Sequence, residues 1–431
     1  MRKSYSFLLI TLLFLACFSA SYGQTTIDAE FRPRTEYREG FRKPLADTLN
    51  SAIVTLQRTR LGFDYKGAGL MAHITLQDAH IWGSSDGKTD ASKVEVYEAW
   101  FDYLFFSGFS AQIGRQPLKY DDQRLLANPN WSATGFAHDA AVFKYKTTTF
   151  QAHSGFAYNN SKDTLLSVAY SFTNQKMYKS MGYLWLSQKV GKSINASAIG
   201  IVEGFESKTS YQTQYTRATY GGNLVYANDS SAWGATLTGY YQQGKDMNKA
   251  FEKGYASLHA YFCAAKLSYK INKIFGANGG IDYYSGSAST LAKDESNTFN
   301  RLYGSTHSFN GSMEYFVSLP TQGLVDYYGG VTAKITSKLT ADLSGHLFYF
   351  DHNFYYNKVK QDKNLGSEAD VTLNYVASKE VSFQCGYSRY FNSSTTKKYF
   401  KMDGVATSPE QWAYITITVR PQLYKTPVVK D

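Results

Sequence analysis

The stretch Ile27-Asp28-Ala29-Glu30-Phe31-Arg32-Pro33-Arg34-Thr35-Glu36-Tyr37-Arg38 decides the fold. Its even positions are all charged, and its odd positions are Ile27, Ala29, Phe31, Pro33, Thr35 and Tyr37. Alternation of this kind sends successive side chains to opposite faces of an extended strand. A half-buried strand of a soluble sandwich alternates too, but it seldom puts a whole face into charges of mixed sign. A strand in a membrane barrel does so readily, because one face lines water and the other meets lipid. The next segment repeats the pattern, with Ile53, Thr55, Thr59, Leu61, Phe63 and Tyr65 set against Arg58, Arg60 and Asp64. Ile27, Phe31, Leu61 and Phe63 are therefore expected to face lipid.

Outward from this core, strand-like stretches are joined by connections that are alternately short and long. Short turns are expected at 66–69, 107–108, 146–149, 189–193, 227–231, 271–273, 336–339 and 377–380. Long polar connections are expected at 39–51, 83–92, 117–137, 159–177, 204–210, 243–253, 285–322, 351–366 and 392–410. Together they join 18 strands and leave both ends of the domain on the short-turn side. That asymmetry predicts an all-β fold, an 18-stranded antiparallel transmembrane β-barrel with short periplasmic turns and long extracellular loops. An even strand count also lets the first and last strands close antiparallel and removes the sheet edge. Aromatic residues flank the short turns, among them Tyr65, Phe105, Phe106, Phe109, Tyr145, Phe150, Tyr226, Trp233, Tyr269 and Phe275. Amphipathic rings belong at the membrane–water interface.

Composition narrows the classes. The 431 residues include 36 Tyr and 28 Phe, an aromatic share of 16%, which excludes a disordered chain. No apolar run beyond the first two dozen residues approaches the roughly 20 needed for a membrane helix. With 3 Cys, one of them in the leader, a disulfide scaffold is also excluded. Arg2 and Lys3, the apolar run from Phe7 to Phe18 and the small residues Ser21 and Gly23 predict a secretory signal peptide over 1–23. The remainder, 24–431, is expected to be a single barrel domain in the bacterial outer membrane. The 45 basic against 35 acidic residues do not point to nucleic acid, because the arginines alternate inside strands instead of forming an exposed stripe.

No enzyme is expected. In His307-Ser308-Phe309-Asn310 an extended chain would point His307 and Ser308 to opposite faces, out of reach as base and nucleophile. The eight His are scattered without metal-ligand spacing, and no Gly-rich phosphate loop opens a helix, so no metal or cofactor is expected.

Several motifs, in this order and spacing, resemble the alginate export family of outer-membrane porins. They are Arg58-Thr59-Arg60-Leu61-Gly62-Phe63, Gly114-Arg115-Gln116, Asp122-Gln123-Arg124-Leu125 with Trp131, and Arg217 with Thr219-Tyr220-Gly221. Further along come Tyr283-Tyr284-Ser285-Gly286, Tyr303-Gly304-Ser305-Thr306-His307, Leu365-Gly366-Ser367-Glu368 and Trp412. The resemblance implies an 18-stranded barrel whose electropositive lumen passes an anionic polysaccharide. One departure is the end of the last strand, Arg420-Pro421 and a tail to Asp431, where the family's terminal aromatic is absent.

Parity assigns Arg32, Arg34, Arg58 and Arg60 to the lumen, and guanidinium groups suit carboxylates through paired hydrogen bonds. Arg115, Arg124 and Arg217 join the expected solute path. Parity leaves the face of Arg217 open and groups Arg115 with Phe109 and Ile113, so only a bulge would turn Arg115 inward. Asp28, Glu30, Glu36, Asp64, Glu98 and Asp102 are the expected acids that space these cations. The segment 303–319, rich in Tyr303, Phe309, Met313, Tyr315 and Phe316, is expected to fold onto the barrel mouth and bring His307 and Asn310 near the path. The reading is a monomeric channel for an anionic polysaccharide, inserted by the barrel-assembly machinery and surrounded by outer-membrane lipid. The alternatives are a general diffusion porin for small anions or sugar acids, and a structural or adhesive barrel plugged by its loops.

Overall fold

A computed structural model describes residues 23–84, 93–160, 163, 165, 178–206, 214–228, 231–251 and 254–427. The expected leader lies outside these residues apart from Gly23, as do most of loops 83–92 and 159–177. The strands are β1 (Gln24–Glu39), β2 (Ala52–Lys66), β3 (Leu70–Ile81), β4 (Glu95–Phe106), β5 (Phe109–Gln116) and β6 (His138–Lys146). There follow β7 (Phe150–Tyr158), β8 (Ser180–Val190), β9 (Ile194–Glu206), β10 (Gln214–Ala227), β11 (Trp233–Phe251) and β12 (Gly254–Lys270). The circuit is completed by β13 (Phe275–Tyr284), β14 (Leu324–Lys334), β15 (Leu339–Tyr349), β16 (Asn364–Val376), β17 (Val381–Asn392) and β18 (Gln411–Val419). Each strand pairs antiparallel with the next, giving the expected closed barrel of 18 strands.

Closure rests on β1, which pairs with β2 on one side and β18 on the other. The seam runs Phe31↔Val419, Arg34↔Thr416 and Arg38↔Trp412, and no bridge forms at Arg32 or Pro33. Pro33 has no N–H to donate, so it sits where the seam ladder skips. Beyond Pro421 the chain resumes as Gln422–Lys425 and pairs with Thr26, Ile27 and Asp28. The departure at Arg420-Pro421 thus interrupts the last strand without opening the barrel.

The parity expected for β1 and β2 holds. Phe31 and Phe63 are exposed on the outer surface, while Arg32, Arg34 and Arg58 are buried inside. Outward Leu343, Leu267 and Leu237 continue the apolar band, and Phe105, Phe106, Trp233 and Phe275 are exposed at the short-turn rim.

One expected loop is not a loop. Residues 243–251 continue β11, with Lys245↔Ser257 and Asp246↔Ala256 in register before a slip to Ala250↔Tyr255, while 252–253 lie outside the described residues. The polar run Gln243, Lys245, Asp246, Asn248 and Lys249 reads as a loop only if a strand must show an apolar face. Above the membrane both faces can be wet, and the ladder alone satisfies the backbone.

Two long connections turn inward and meet. Segment 117–137 follows β5 and segment 285–323 follows β13. Tyr303 N donates to Leu125 O at 2.9 Å and Ser305 N to Gln123 O at 2.9 Å. A Cβ at Gly304 would lie 2.0 Å from the Arg124 carbonyl oxygen, so only glycine permits this crossing. The second segment also packs on the wall, with Tyr315 stacked on Tyr390 at 3.9 Å and Phe316 against Phe348 at 4.9 Å. Segment 303–319 is therefore folded into the mouth.

A charge on the outer band should cost far more than one on the inner face. Leu343→Arg is expected to destabilise the lipid-reconstituted barrel by about 2–4 kcal/mol in urea unfolding. Ser344→Arg, its lumen-facing neighbour beside Asp370, should be close to neutral. Equal losses would refute the assignment of faces.

Candidate transport path

The inner faces of β1 and β2 form a wall of four guanidinium groups, and segment 117–137 lies against it. Arg32 donates through Nη2 to the Ser132 and Trp131 carbonyls at 2.9 and 3.3 Å, and through Nη1 to that of Asn130. Arg58 Nη1 reaches the Ser132 carbonyl at 3.1 Å, and its Nη2 reaches Asn130 Oδ1 at 2.7 Å. Arg34 donates to the Trp131 carbonyl at 2.8 Å and lies 3.9 Å over the indole ring. Arg60 donates to Gln77 Oε1 at 2.8 Å and lies 3.9 Å over the Tyr97 ring. A loop inside a barrel has carbonyls that need donors, and a guanidinium offers five in a fixed fork.

The four arginines differ in their counter-charges. Arg58 pairs with Glu30 at 2.6 Å and Arg34 with Glu36 at 2.8 Å. Glu30 is shared with Arg420, and Glu36 with Arg38 and the Trp412 indole N–H. Among the described residues, Arg32 and Arg60 make no ion pair with a carboxylate.

Arg124 and Arg217 are also inside, as clamps. Arg124 spans Asp122 at 2.8 Å and Asp282 at 2.7 Å, and donates to the Tyr284 hydroxyl at 2.8 Å. Burial disfavours its charge, but Tyr284, Asp282 and Asp122 outweigh that and raise its pKa. Arg217 makes a two-pronged pair with Glu203 at 2.8 and 3.0 Å, and Tyr303 donates to the same carboxylate at 2.5 Å. This settles the face of Arg217, which shares the inner side with buried Thr219 and Asn223.

His307 stacks on Trp131 at 3.9 Å and hydrogen-bonds Glu314 at 2.9 Å. Arg42, in the connection after β1, donates to the same carboxylate at 2.8 Å. Burial would raise the Glu314 carboxyl, but the His307 hydrogen bond and the Arg42 guanidinium hold it below the ordinary value. His307 thus joins the two inward segments, and Glu314 ties them to the connection after β1. Asn310 is buried beside them.

Glu98 accepts from the Trp100 indole at 3.1 Å, and Asp102 pairs with Lys144 at 3.0 Å, both on the inner face of β4 and β6. Arg115 is the exception. It lies half-exposed on the outer face in a bidentate pair with Asp139, both contacts at 3.0 Å. Its neighbour Gly114 has φ +128, yet the chain keeps Ile113 and Arg115 on one side. Arg115 is removed from the path.

The sequence reading missed a second wall, of carboxylates, on β13 to β16. Asp282, Asp326, Glu368 and Asp370 are buried there, and His346 Nδ1 lies 3.0 Å from both Asp326 oxygens. The signal was present: Glu368 and Asp370 alternate with Ala369 and Val371 as the β1 charges do.

Residues 24–399 match the alginate export family. Among solved structures, the chain is similar to OpdK of Pseudomonas aeruginosa crystallised with vanillate, at 12% identity and TM-score 0.62 over 93% of this chain and 98% of that one. OccK9 (OpdG) of the same organism gives 13% identity, TM-score 0.62 and the same coverage. OccAB1 of Acinetobacter baumannii gives 11% identity and TM-score 0.61 over 93% and 97%. At these identities the likeness is one of fold. Among curated proteins no relative is matched. The family match over most of the chain, together with a closed porin-like barrel, makes this an outer-membrane channel that belongs to the alginate export family.

Proposed function

We propose that the channel passes an anionic polysaccharide or oligosaccharide, alginate-like in chemistry, through a lumen whose selectivity comes from the arginine wall. The observation that carries this reading is that Arg32 and Arg60 sit on the inner face without a carboxylate partner. Fixed cations raise the local anion concentration and lower the entry barrier for anions. Arg34, Arg58, Arg124 and Arg217 contribute less field, because each is matched by a carboxylate. Family membership supplies the polymer. A second reading, a diffusion porin for small anions or sugar acids, is favoured by the two inward segments that fill the upper lumen. The fold neighbour solved with vanillate is consistent with it. A polyuronate that blocks the single-channel current supports the first reading; a channel that conducts small anions and ignores the polymer supports the second. We take the channel to be a monomer delivered to the barrel-assembly machinery after removal of the leader.

Charge without a partner should govern selectivity. Arg32→Ser with Arg60→Ser is expected to move the reversal potential in a salt gradient toward cations, and Arg32→Lys with Arg60→Lys to preserve anion preference. The shift should fade as salt rises, since the Debye length falls from about 10 Å at 0.1 M to about 3 Å at 1 M. An unchanged reversal potential at low salt would exclude the arginine wall as the filter.

The tether at Glu314 makes a prediction about pH. Its carboxyl is held below the usual glutamate range, so the stabilisation is present above the ordinary pKa and is lost only as pH falls through the lowered one. Single-channel conductance should therefore stay constant from neutral pH down into the ordinary carboxylate range, and become noisy and larger below it. Glu314→Gln should show the noisy state at neutral pH. A quiet Glu314→Gln channel of native conductance would mean that the tether does not hold the constriction.

A further inference from the structure

One place on the lipid-facing band is sunken. On β9 to β12 the outward residues Ala198, Gly222, Gly239 and Cys263 pair across the strands in one row, which ends at Tyr283 of β13. The next outward row toward the short turns is Ala196, Leu224, Leu237, Ala265 and Ile281. Gly222, Gly239, Cys263 and Tyr283, with Leu237 and Ile281, line an open apolar groove of about 670 Å³. Its floor has two origins. At Gly222 a Cβ would lie 2.1 Å from the Ser197 carbonyl oxygen, so the backbone itself excludes a side chain. At Gly239 a Cβ would meet nothing within 4 Å. Glycine weakens a strand interior, and where no neighbour needs the space it marks the close approach of another molecule.

The groove lies just below the extracellular girdle. Tyr241 and Tyr261 are the next outward residues after Gly239 and Cys263, and Tyr220 stands beside them. The rings of Tyr220 and Tyr241 are 5.7 Å apart, and those of Tyr261 and Tyr283 are 5.6 Å apart. Trp233 marks the girdle at the short-turn rim, and from it to Tyr241 the tilted strand climbs about 20 Å along the membrane normal. The groove is therefore at the depth of the outer leaflet. Above the rings the outward face turns polar, with Gln243 opposite His259 and Lys245 opposite Ser257. The Tyr241 hydroxyl lies 3.2 Å from His259 Nδ1, and Lys245 donates to Ser257 Oγ at 3.2 Å. Among the described residues Lys245 makes no ion pair. Two carboxylates stand near. Asp351 is taken up by the Tyr283 hydroxyl at 2.5 Å and Gly286 N at 3.1 Å, and Glu295 pairs with Ser257 on the side away from Lys245.

This arrangement selects its occupant. Strands lie about 4.8 Å apart, so a groove across four of them is about 15 Å wide and takes several acyl chains abreast. A lipid with many chains on one head fills that width, where a two-chain lipid leaves part of it open. Over the groove, a lysine without a counter-ion offers a point charge for a phosphate. Tyrosine hydroxyls and His259 beside it offer hydrogen bonds for sugar hydroxyls at the level where amphipathic rings meet headgroups. A second barrel fits less well, because its face would meet the protruding Leu224, Leu237, Leu267 and Tyr261 before it reached the floor.

We propose that the outer face of β9 to β13 is a binding site for a phosphorylated, multiply acylated glycolipid of the outer leaflet, with acyl chains in the groove and a phosphate at Lys245. The site is independent of what the channel carries. The test uses the mature barrel, purified in detergent and stripped of lipid, with hexa-acylated diphosphoryl lipid A as the probe and native mass spectrometry as the readout. The native barrel should retain a single lipid A. Gly239→Leu, which fills the groove floor, should weaken retention by about tenfold or more, the loss expected when a few methylenes are no longer buried. Gly182→Leu, on β8 outside the groove and also with nothing within 4 Å of a Cβ, should retain it as the native barrel does. Lys245→Gln should weaken binding of diphosphoryl lipid A and leave that of the dephosphorylated lipid unchanged. Native retention by a correctly folded Gly239→Leu barrel would overturn the site. So would binding of phosphatidylethanolamine as tight as that of lipid A, or loss of retention in Gly182→Leu equal to that in Gly239→Leu. Native affinity of Lys245→Gln for the diphosphoryl lipid would overturn the phosphate contact. A lipid-free dimer that Gly239→Leu disperses would assign the groove to a second copy of the chain and overturn the proposal.

Discussion

Hydrocarbon leaves no backbone N–H or C=O free to be solvated, and each unsatisfied group costs several kcal/mol, so the sheet must close on itself. The closing contact falls on β1, and that one strand carries two duties. Its backbone makes the seam with β18 while its inner face presents Arg32 and Arg34. Because the side-chain period is two, a slip of one residue at the seam would put these arginines into lipid. Register, closure and lumen charge are therefore set together. The residues around the seam reflect this: Glu30 joins Arg58 of β2 to Arg420 at the end of β18, and Glu36 joins Arg34 to Trp412.

The same constraint acts on whatever enters the lumen. Segment 117–137 brings its carbonyls into a narrow space where water is limited, and the wall solvates them with guanidinium groups. Lysine would hold this segment less firmly, since it has no planar fork and no face to stack on Trp131 or Tyr97, although it would keep the charge. The arginine wall is thus a scaffold for the constriction as much as a field. A residue such as Arg58, fully buried between Glu30 and two carbonyls, braces the segment it holds.

How much of this was legible follows from which physics is local. Alternation is written residue by residue, so the faces of Ile27 to Arg38 and the fate of Arg58 and Arg60 could be read directly, and the short turns with their aromatics fixed the strand count. The stretch 243–251 was misread as loop because amphipathicity vanishes where a strand leaves the membrane, and only pairing, which is not local, marks it as β. Arg115 was drawn into the path by its motif although its parity with Ile113 pointed outward; the pair with Asp139 explains how a charge persists there. The clamps Arg124–Asp282 and Arg217–Glu203 join residues remote in sequence, and nothing in either segment alone names the other. The apolar content of 303–319 announced that it must pack, and the wall was the available surface.

A channel for a polymer faces a balance that a small-solute pore does not. Each repeat of a polyanion adds contacts, so a constriction lined by free cations would hold the chain too tightly to release it, and conduction needs binding that is weak at every site. Here the narrow region spends most of its positive charge on its own carboxylates and carbonyls, leaving Arg32 and Arg60 as the surplus.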